Sequence, residues 1–193
     1  MSKTLLETAV HREELYHGKI LHLQRDTVEL PNGQTAIREY VVHPGAVVIV
    51  PILEREDGSW ELVLERQYRY PVAKVMLEFP AGKLDHGEEC LASAQRELRE
   101  ETGYSAAEWA HAGLFHPVVA YSTEFIDVWF ARGLTAGDRD LDEEEFLEVL
   151  TLPLEEFLDQ CRTGSVTDGK TLIAAHWLLQ IRAGAWVPDW QRV

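Results

Sequence analysis

Between Ala46 and Ile52 the chain is apolar almost without a break. A run that short and that apolar predicts a strand buried on both faces. Upstream, strand-favouring residues from Ile20 to Leu30 lead into Pro31-Asn32-Gly33, and Thr35 to Val42 returns. Asn-Gly between two such runs is the strongest short signal for a hairpin. His43-Pro44-Gly45 then breaks the pattern, so the boundary is expected near His43. It separates an N-terminal antiparallel strand unit (1–43) from a main domain (44–193). Glu56-Asp57-Gly58-Ser59 reads as a turn, and Trp60 to Gln67 alternates as a strand does. Further strands are expected over Trp109 to Val119 and Phe125 to Leu134. Apolar steps of three and four residues predict helices over Leu154 to Cys161 and Thr171 to Ile181. This mixed order predicts an α/β fold in which helices enclose a mixed sheet.

The stretch from Gly82 to Tyr104 has a different character. Gly82 and Gly87 give backbone freedom to a tight loop, a helix is expected from about Glu88, and Gly103 is placed to stop it. On that helix Glu97, Glu100 and Glu101 share a face, beside an apolar stripe of Leu91, Ala94 and Leu98. On a solvated surface such an acidic face costs a few tenths of a kcal/mol per like-charge pair. Turned into a cleft it behaves otherwise. Two carboxylates about 5 Å apart repel by roughly 3 kcal/mol at an effective dielectric near 20. The cluster must then bind protons or a cation, and all-oxygen ligands suit Mg²⁺, with Mn²⁺ as the alternative.

Composition narrows the partners. A chain of 193 residues with 46% hydrophobic residues can bury one substantial core. A formal charge of −15 argues against nucleic acid and against anionic membranes, which need a basic footprint. No apolar run reaches the roughly 18 residues of a membrane span, and the segment Met1 to Glu14 lacks the core of a signal peptide. Cys90 and Cys161 have no metal-site spacing and read as buried free thiols, which suits a reducing cytoplasm.

The spacing within Gly82–Tyr104 resembles the Nudix box: Gly, five residues, Glu, seven residues, then Arg-Glu-hydrophobic-any-Glu-Glu-any-Gly-hydrophobic. Its fixed letters fall on Gly82, Glu88, Arg96, Glu97, Glu100, Glu101 and Gly103. Chance agreement at typical residue frequencies is on the order of 10⁻⁸ per start position. Tyr104 occupies a slot that is more usually aliphatic. The wider chain resembles the ADP-ribose pyrophosphatase branch of that family. The features are His43-Pro44-Gly45, Glu65-Arg66-Gln67-Tyr68-Arg69, Glu78-Phe79-Pro80-Ala81-Gly82, Phe115-His116-Pro117, Ser122-Thr123-Glu124 and a late acidic loop.

The resemblance implies an α/β/α Nudix sandwich and a homodimer that packs or exchanges N-terminal strands. It implies hydrolysis of a nucleoside diphosphate sugar, with ADP-ribose giving AMP and ribose 5-phosphate. It also implies Glu97, Glu100, Glu101 and the Ala81 carbonyl as metal ligands, and Arg96 as the group that orients the carboxylates. Glu88 fits a loop brace or a metal contact equally. The general base is expected in the acidic loop, at Glu143 or Glu145, with Glu144 the remaining local candidate. Arg66 and Arg69 have the fork that matches phosphate, Tyr68 or Tyr121 could stack on a base, and Glu78 could meet ribose or a metal-bound water. Val118-Val119-Ala120 stands where ADP-ribose enzymes often carry Ser-Pro-Gly, so GDP-mannose or another nucleotide sugar is the alternative substrate. A sensor that binds without cleaving is the alternative of another class, and the intact carboxylates argue against it.

Overall fold

The computed structural model describes residues 5–141 and 144–193. It divides into two compact units, one comprising the chain up to Gly45 with His116–Phe125, the other Ala46–Phe115 with Ile126–Val193.

The first unit is a three-stranded antiparallel sheet of β1 (Thr8–His17), β2 (His22–Glu29) and β3 (Thr35–Val42), in that order. At the predicted turn Gly33 takes a φ of 82°, and the Leu30 N–H donates to the Gln34 carbonyl at 2.8 Å. The strand expected to run to Val119 stops at Phe115. Pro117 has no N–H for a ladder, and the Val118 carbonyl accepts from the N–H groups of Tyr121 and Ser122, both at 3.1 Å, closing a turn. The segment that follows is held to β3 by Val41 N–H to the Tyr121 carbonyl (2.9 Å) and Thr123 N–H to the Val41 carbonyl (3.0 Å).

The second unit contains β4 (Ala46–Glu54), β5 (Trp60–Arg69), β6 (Lys74–Glu78), β7 (Ala81–Lys83), α1 (Cys90–Thr102), β8 (Tyr104–Phe115), β9 (Ile126–Ala136), β10 (Leu147–Pro153), α2 (Leu154–Thr163), α3 (Gly169–Arg182) and β11 (Gln191–Arg192). The strand order is β10-β5-β4-β9-β8-β11, with β6 on β5 and β7 on β4. β4 and β9 are parallel and their other partners antiparallel, which makes the sheet mixed.

β4 shows why the run from Ala46 to Ile52 has no polar break. Its odd positions Val47 and Ile49 pack with Ala94 and Leu98 of α1. Its even positions Val48, Val50 and Ile52 pack with Phe157 of α2 and Ala174 and Leu178 of α3. Both faces are covered by helices, so both must be apolar. The stripe expected on the box helix is therefore the stripe that docks it. Trp177, Trp186 and Trp190 pack against the α2–α3 core, as fillers.

Candidate active site

The loop into α1 is built around one guanidinium. Arg96 Nε and Nη2 donate to Glu88 Oε1 and Oε2, each at 2.9 Å, a fork-to-fork pair. Nη1 donates to Glu97 at 2.7 Å and to Glu100 at 3.1 Å, and Nη2 also reaches the Lys83 carbonyl at 3.1 Å. Glu88 takes a further bond from the Asp85 N–H at 3.0 Å. Both its oxygens are engaged, and Arg96 above all holds its pKa down at about 2. These bonds are those of a loop brace, one of the two roles open to Glu88. The helix begins at Cys90, two residues after Glu88, with Glu89 in the extended conformation at its N-cap. At the other end Gly103 closes α1 in the left-handed conformation (φ 75°), donating to the Arg99 carbonyl at 2.9 Å.

Arg96 thus holds the side chains of Glu97 and Glu100 by hydrogen bonds. Arg96→Lys keeps the charge but loses the fork. The variant is expected to need a higher Mg²⁺ concentration for half-maximal activity and to melt lower by an amount equivalent to about 2 kcal/mol. A metal-activation curve and a thermal melt check it.

Glu101 is 3% exposed and accepts from the Ala81 N–H at 3.0 Å. In an extended strand a residue's N–H and C=O face the same edge, so the Ala81 carbonyl opens on the Glu101 side. Burial, then the charges of Glu65 and Glu97, push the Glu101 pKa up to about 10. Burial also raises Glu97 against the opposing effect of Arg96. Glu65 is fully buried, and neither of its oxygens has a hydrogen-bond partner among the described residues. Burial lifts it to about 7 although Lys170 pulls it down.

The result is a crowded group of buried carboxylates in which Arg96 pairs with Glu97, while neither oxygen of Glu65 has a hydrogen-bond partner among the described residues. Oxygen donors only, several of them anionic, fit a hard divalent cation. Because Arg96 draws Glu97 and Glu100 toward itself, the donors are spread rather than closed on one point, which suits an ion that keeps several waters.

The loop glycine is required by contact. A Cβ on Gly82 would lie 1.9 Å from Cδ and Oε1 of Glu97. Gly82→Ala is therefore expected to fold, since a side-chain end can move, and to lose roughly 10²-fold in turnover because Glu97 is displaced by an ångström or more. Steady-state kinetics together with a melting curve distinguishes this from unfolding.

Strand parity sorts the residues named for substrate. Glu65 and Arg69 of β5 share a face with Glu78 of β6, where Glu65 and Glu78 are register partners. Arg69 forks onto Glu78 at 2.9 and 2.7 Å. Lys170 of α3 also pairs with Glu78 and reaches Asp168 at 3.1 Å. Burial pushes Glu78 upward, but Arg69 and Lys170 outweigh it and leave its pKa below the ordinary value. Arg66 and Tyr68 project from the opposite face of β5 and are exposed, and Arg66 lies 4.0 Å from Glu148. The structure does not bring these two to the carboxylates. Tyr121 lies in the first unit and is exposed.

In the acidic loop Glu143 lies outside the described residues. Glu145 precedes β10 and is half-buried, and its charge raises the pKa of Glu65, Glu97 and Glu101 alike. Glu144 is exposed.

Sequence reasoning missed Glu65 and Lys170. A signal existed for Glu65, a charge on the Arg69 side of a strand whose neighbours are apolar. None existed for Lys170, which meets Glu78 across 92 positions.

A braced loop leading into a helix of clustered glutamates is the geometry to be compared with known proteins. The NUDIX domain profile matches residues 42–173, and that of the nucleoside diphosphate sugar hydrolase N-terminal domain matches residues 7–41. The chain is 38% identical over 180 residues to the methanol dehydrogenase activator of Bacillus methanolicus, covering 92% of this chain and 95% of the relative. It is 37% identical over 178 residues to the ADP-ribose pyrophosphatase of Bacillus subtilis (strain 168), covering 91% and 94%. The crystal structure of an ADP compounds hydrolase superposes with a TM-score of 0.80 at 25% identity, covering 95% of this chain and 98% of that one. The chain belongs to the Nudix family, and it is a Nudix hydrolase with the α/β fold and mixed sheet expected of it.

Proposed function

We propose that this protein hydrolyses the pyrophosphate bond of a nucleoside diphosphate sugar, with ADP-ribose as the preferred substrate, yielding AMP and ribose 5-phosphate. The carrying observation is the buried carboxylate group of Glu65, Glu97 and Glu101, which must hold protons or a cation at neutral pH. The ADP-ribose pyrophosphatase named above supports the choice of substrate.

On this reading Glu97, Glu100, Glu101 and the Ala81 carbonyl hold Mg²⁺, or Mn²⁺ in its place. When bound, such an ion neutralises diphosphate oxygens and lowers the pKa of an attached water. The protein's own groups do the rest. Arg96 fixes the directions of Glu97 and Glu100. Glu78 and Lys170 hold the Arg69 guanidinium in one orientation, ready for a phosphate or ribose oxygen. Glu145 is the base that takes a proton from the attacking water. Arg66 and Tyr68 act on substrate in this reading only if the sugar or base extends to the outer face of β5.

The deciding experiment is a panel of ADP-ribose, GDP-mannose and related diphosphates assayed with Mg²⁺ and with EDTA. ADP-ribose cleaved far above the others supports the proposal. A preference for GDP-mannose overturns the substrate and keeps the chemistry, and binding without cleavage overturns both.

The reading includes a homodimer through the first unit, supported by Val10, Tyr16, Ile20, Leu21 and Ile37, all apolar and exposed. It also includes a reducing compartment, which suits the free thiols of Cys90 and Cys161. No described helix is long and apolar enough to cross a membrane.

A further inference from the structure

The first unit carries a second group of metal-ligating side chains, chemically unlike the acidic pocket. Glu14, His17 and His22 each offer one ligand atom, and these atoms all lie within 4.8 Å of one another, an arrangement otherwise unmatched among the described residues. His17 and His22 are direct register partners where β1 turns into β2. Their rings stand 4.4 Å apart, tilted by 31°. The turn between them is closed by the Gly18 N–H donating to the Leu21 carbonyl at 2.8 Å.

In an undistorted strand Glu14 and His17, three residues apart, would face opposite sides. β1 has a register shift between Glu14 and Tyr16, where Glu14 pairs with Gln24 and Tyr16 already pairs with Leu23. That extra residue is a bulge, and it returns His17 to the side occupied by Glu14 and His22. Three ligand atoms from two strands are thereby brought within 4.8 Å of one another.

The Glu14–His17 spacing suits an ion, and the shorter Glu14–His22 spacing is that of a hydrogen bond that an ion would open by about half an ångström. Ligands at about 2.0–2.1 Å from a tetrahedral Zn²⁺ stand about 3.3 Å from one another. Glu14 Oε2 is 3.3 Å from His17 Nδ1 and 2.7 Å from His22 Nε2. A single carboxylate oxygen thus faces both imidazoles, the place an ion would occupy on replacing the shared protons. His22 Nε2 also stands 3.4 Å from Gln24 Nε2, a contact weak enough to yield.

We infer that Glu14, His17 and His22 form a binding site for a divalent transition ion of the zinc type, with water completing the coordination. Two imidazoles and one carboxylate select Zn²⁺ or its Ni²⁺ and Cu²⁺ neighbours over the hard ions of the acidic pocket.

The test compares the full-length protein with its His17→Ala/His22→Ala variant. Both are loaded with saturating Mg²⁺ to occupy the acidic pocket and then titrated with Zn²⁺ by calorimetry and equilibrium dialysis. The wild type is expected to bind one more equivalent of Zn²⁺ than the double variant. Zn²⁺ is also expected to raise its melting temperature in a way the variant does not share, because an ion that binds only the folded hairpin stabilises it. Glu14→Gln, which keeps both imidazoles, should weaken binding at least tenfold without abolishing it. Equal Zn²⁺ stoichiometry in wild type and double variant overturns the site, provided both melt alike in EDTA. If the double variant melts lower in EDTA, Glu14→Gln decides instead, and unchanged affinity there overturns it.

Discussion

Replacing Glu97 and Glu101 together by glutamine is expected to abolish metal-dependent diphosphate hydrolysis and to stabilise the metal-free protein at neutral and alkaline pH. These two effects have a single cause. The ions that would stabilise charge on the diphosphate are worth several kcal/mol, and each 1.4 kcal/mol of barrier is a decade in rate. Loss of two of the ligands proposed for them should therefore lower turnover by about 10³-fold or more.

The same carboxylates oppose folding when no cation is present. Glu101 has an ordinary pKa of 4.5 in the unfolded chain and about 10 in the folded one, because of burial first and then the Glu65 and Glu97 charges. A folded-state pKa above the unfolded value contributes stability that is complete below pH 4.5 and lost as pH rises through about 10. Glutamine at both positions removes that slope and retains an acceptor for the Ala81 N–H. Even one unit of the shift is worth about 1.4 kcal/mol, enough to read in a melt. Thermal unfolding in EDTA at pH 6 and pH 9 should show wild type losing more stability with pH than the double variant, which keeps the shallower slope of Glu65, raised to about 7. Hydrolysis surviving in the variant, or a pH slope equal to that of wild type, would contradict the arrangement.

What the sequence carried of this site was local. Gly82, Glu88, Arg96, Glu97, Glu100, Glu101 and Gly103 lie within one loop and one helix, so spacing and helical period place them with little help from the rest of the chain. β4 was legible for a similar reason, since a strand covered on both faces must be apolar throughout. Elements whose form depends on neighbours were harder to read. β1 is polar and mostly exposed on both faces, and it is a strand because β2 offers it a ladder. β6 and β7 are five and three residues long, too short for any period to register. Pairing decides substrate-facing residues too. Arg66, Tyr68 and Arg69 are adjacent in sequence, yet alternation along β5 separates the first two from the third, and only the register of β6 shows that Arg69 meets Glu78. The Glu78–Lys170 pair depends on α3, where Asp168 caps the first turn through the Thr171 N–H at 3.0 Å. Thr171 in turn accepts from the Phe79 N–H at 3.0 Å. A contact assembled by those two bonds leaves no trace in local pattern.

Replacing Glu145 by glutamine is expected to lower turnover by about 10² to 10⁴-fold, the usual effect of removing a general base, with Mg²⁺ activation changed only a few-fold. Glu144→Gln should stay near wild type. The reasoning is electrostatic and positional. Glu145 is half-buried just before β10, a strand in which Val149 pairs with Glu65, and its charge is felt by Glu65, Glu97 and Glu101. A carboxylate whose charge reaches the proposed ligands is the better placed to receive a proton released beside them. Glutamine keeps the shape and removes the basicity. If Glu145 were instead a metal ligand, its loss would shift the Mg²⁺ activation curve to higher concentration, and excess Mg²⁺ would restore the rate. If it were only a solvated charge, its removal would ease the crowding of Glu65 and Glu101, raise stability in EDTA and leave turnover intact. The rate at saturating Mg²⁺, compared with the half-activating concentration, separates these outcomes. Only a rate deficit that extra metal does not repair assigns proton transfer to Glu145.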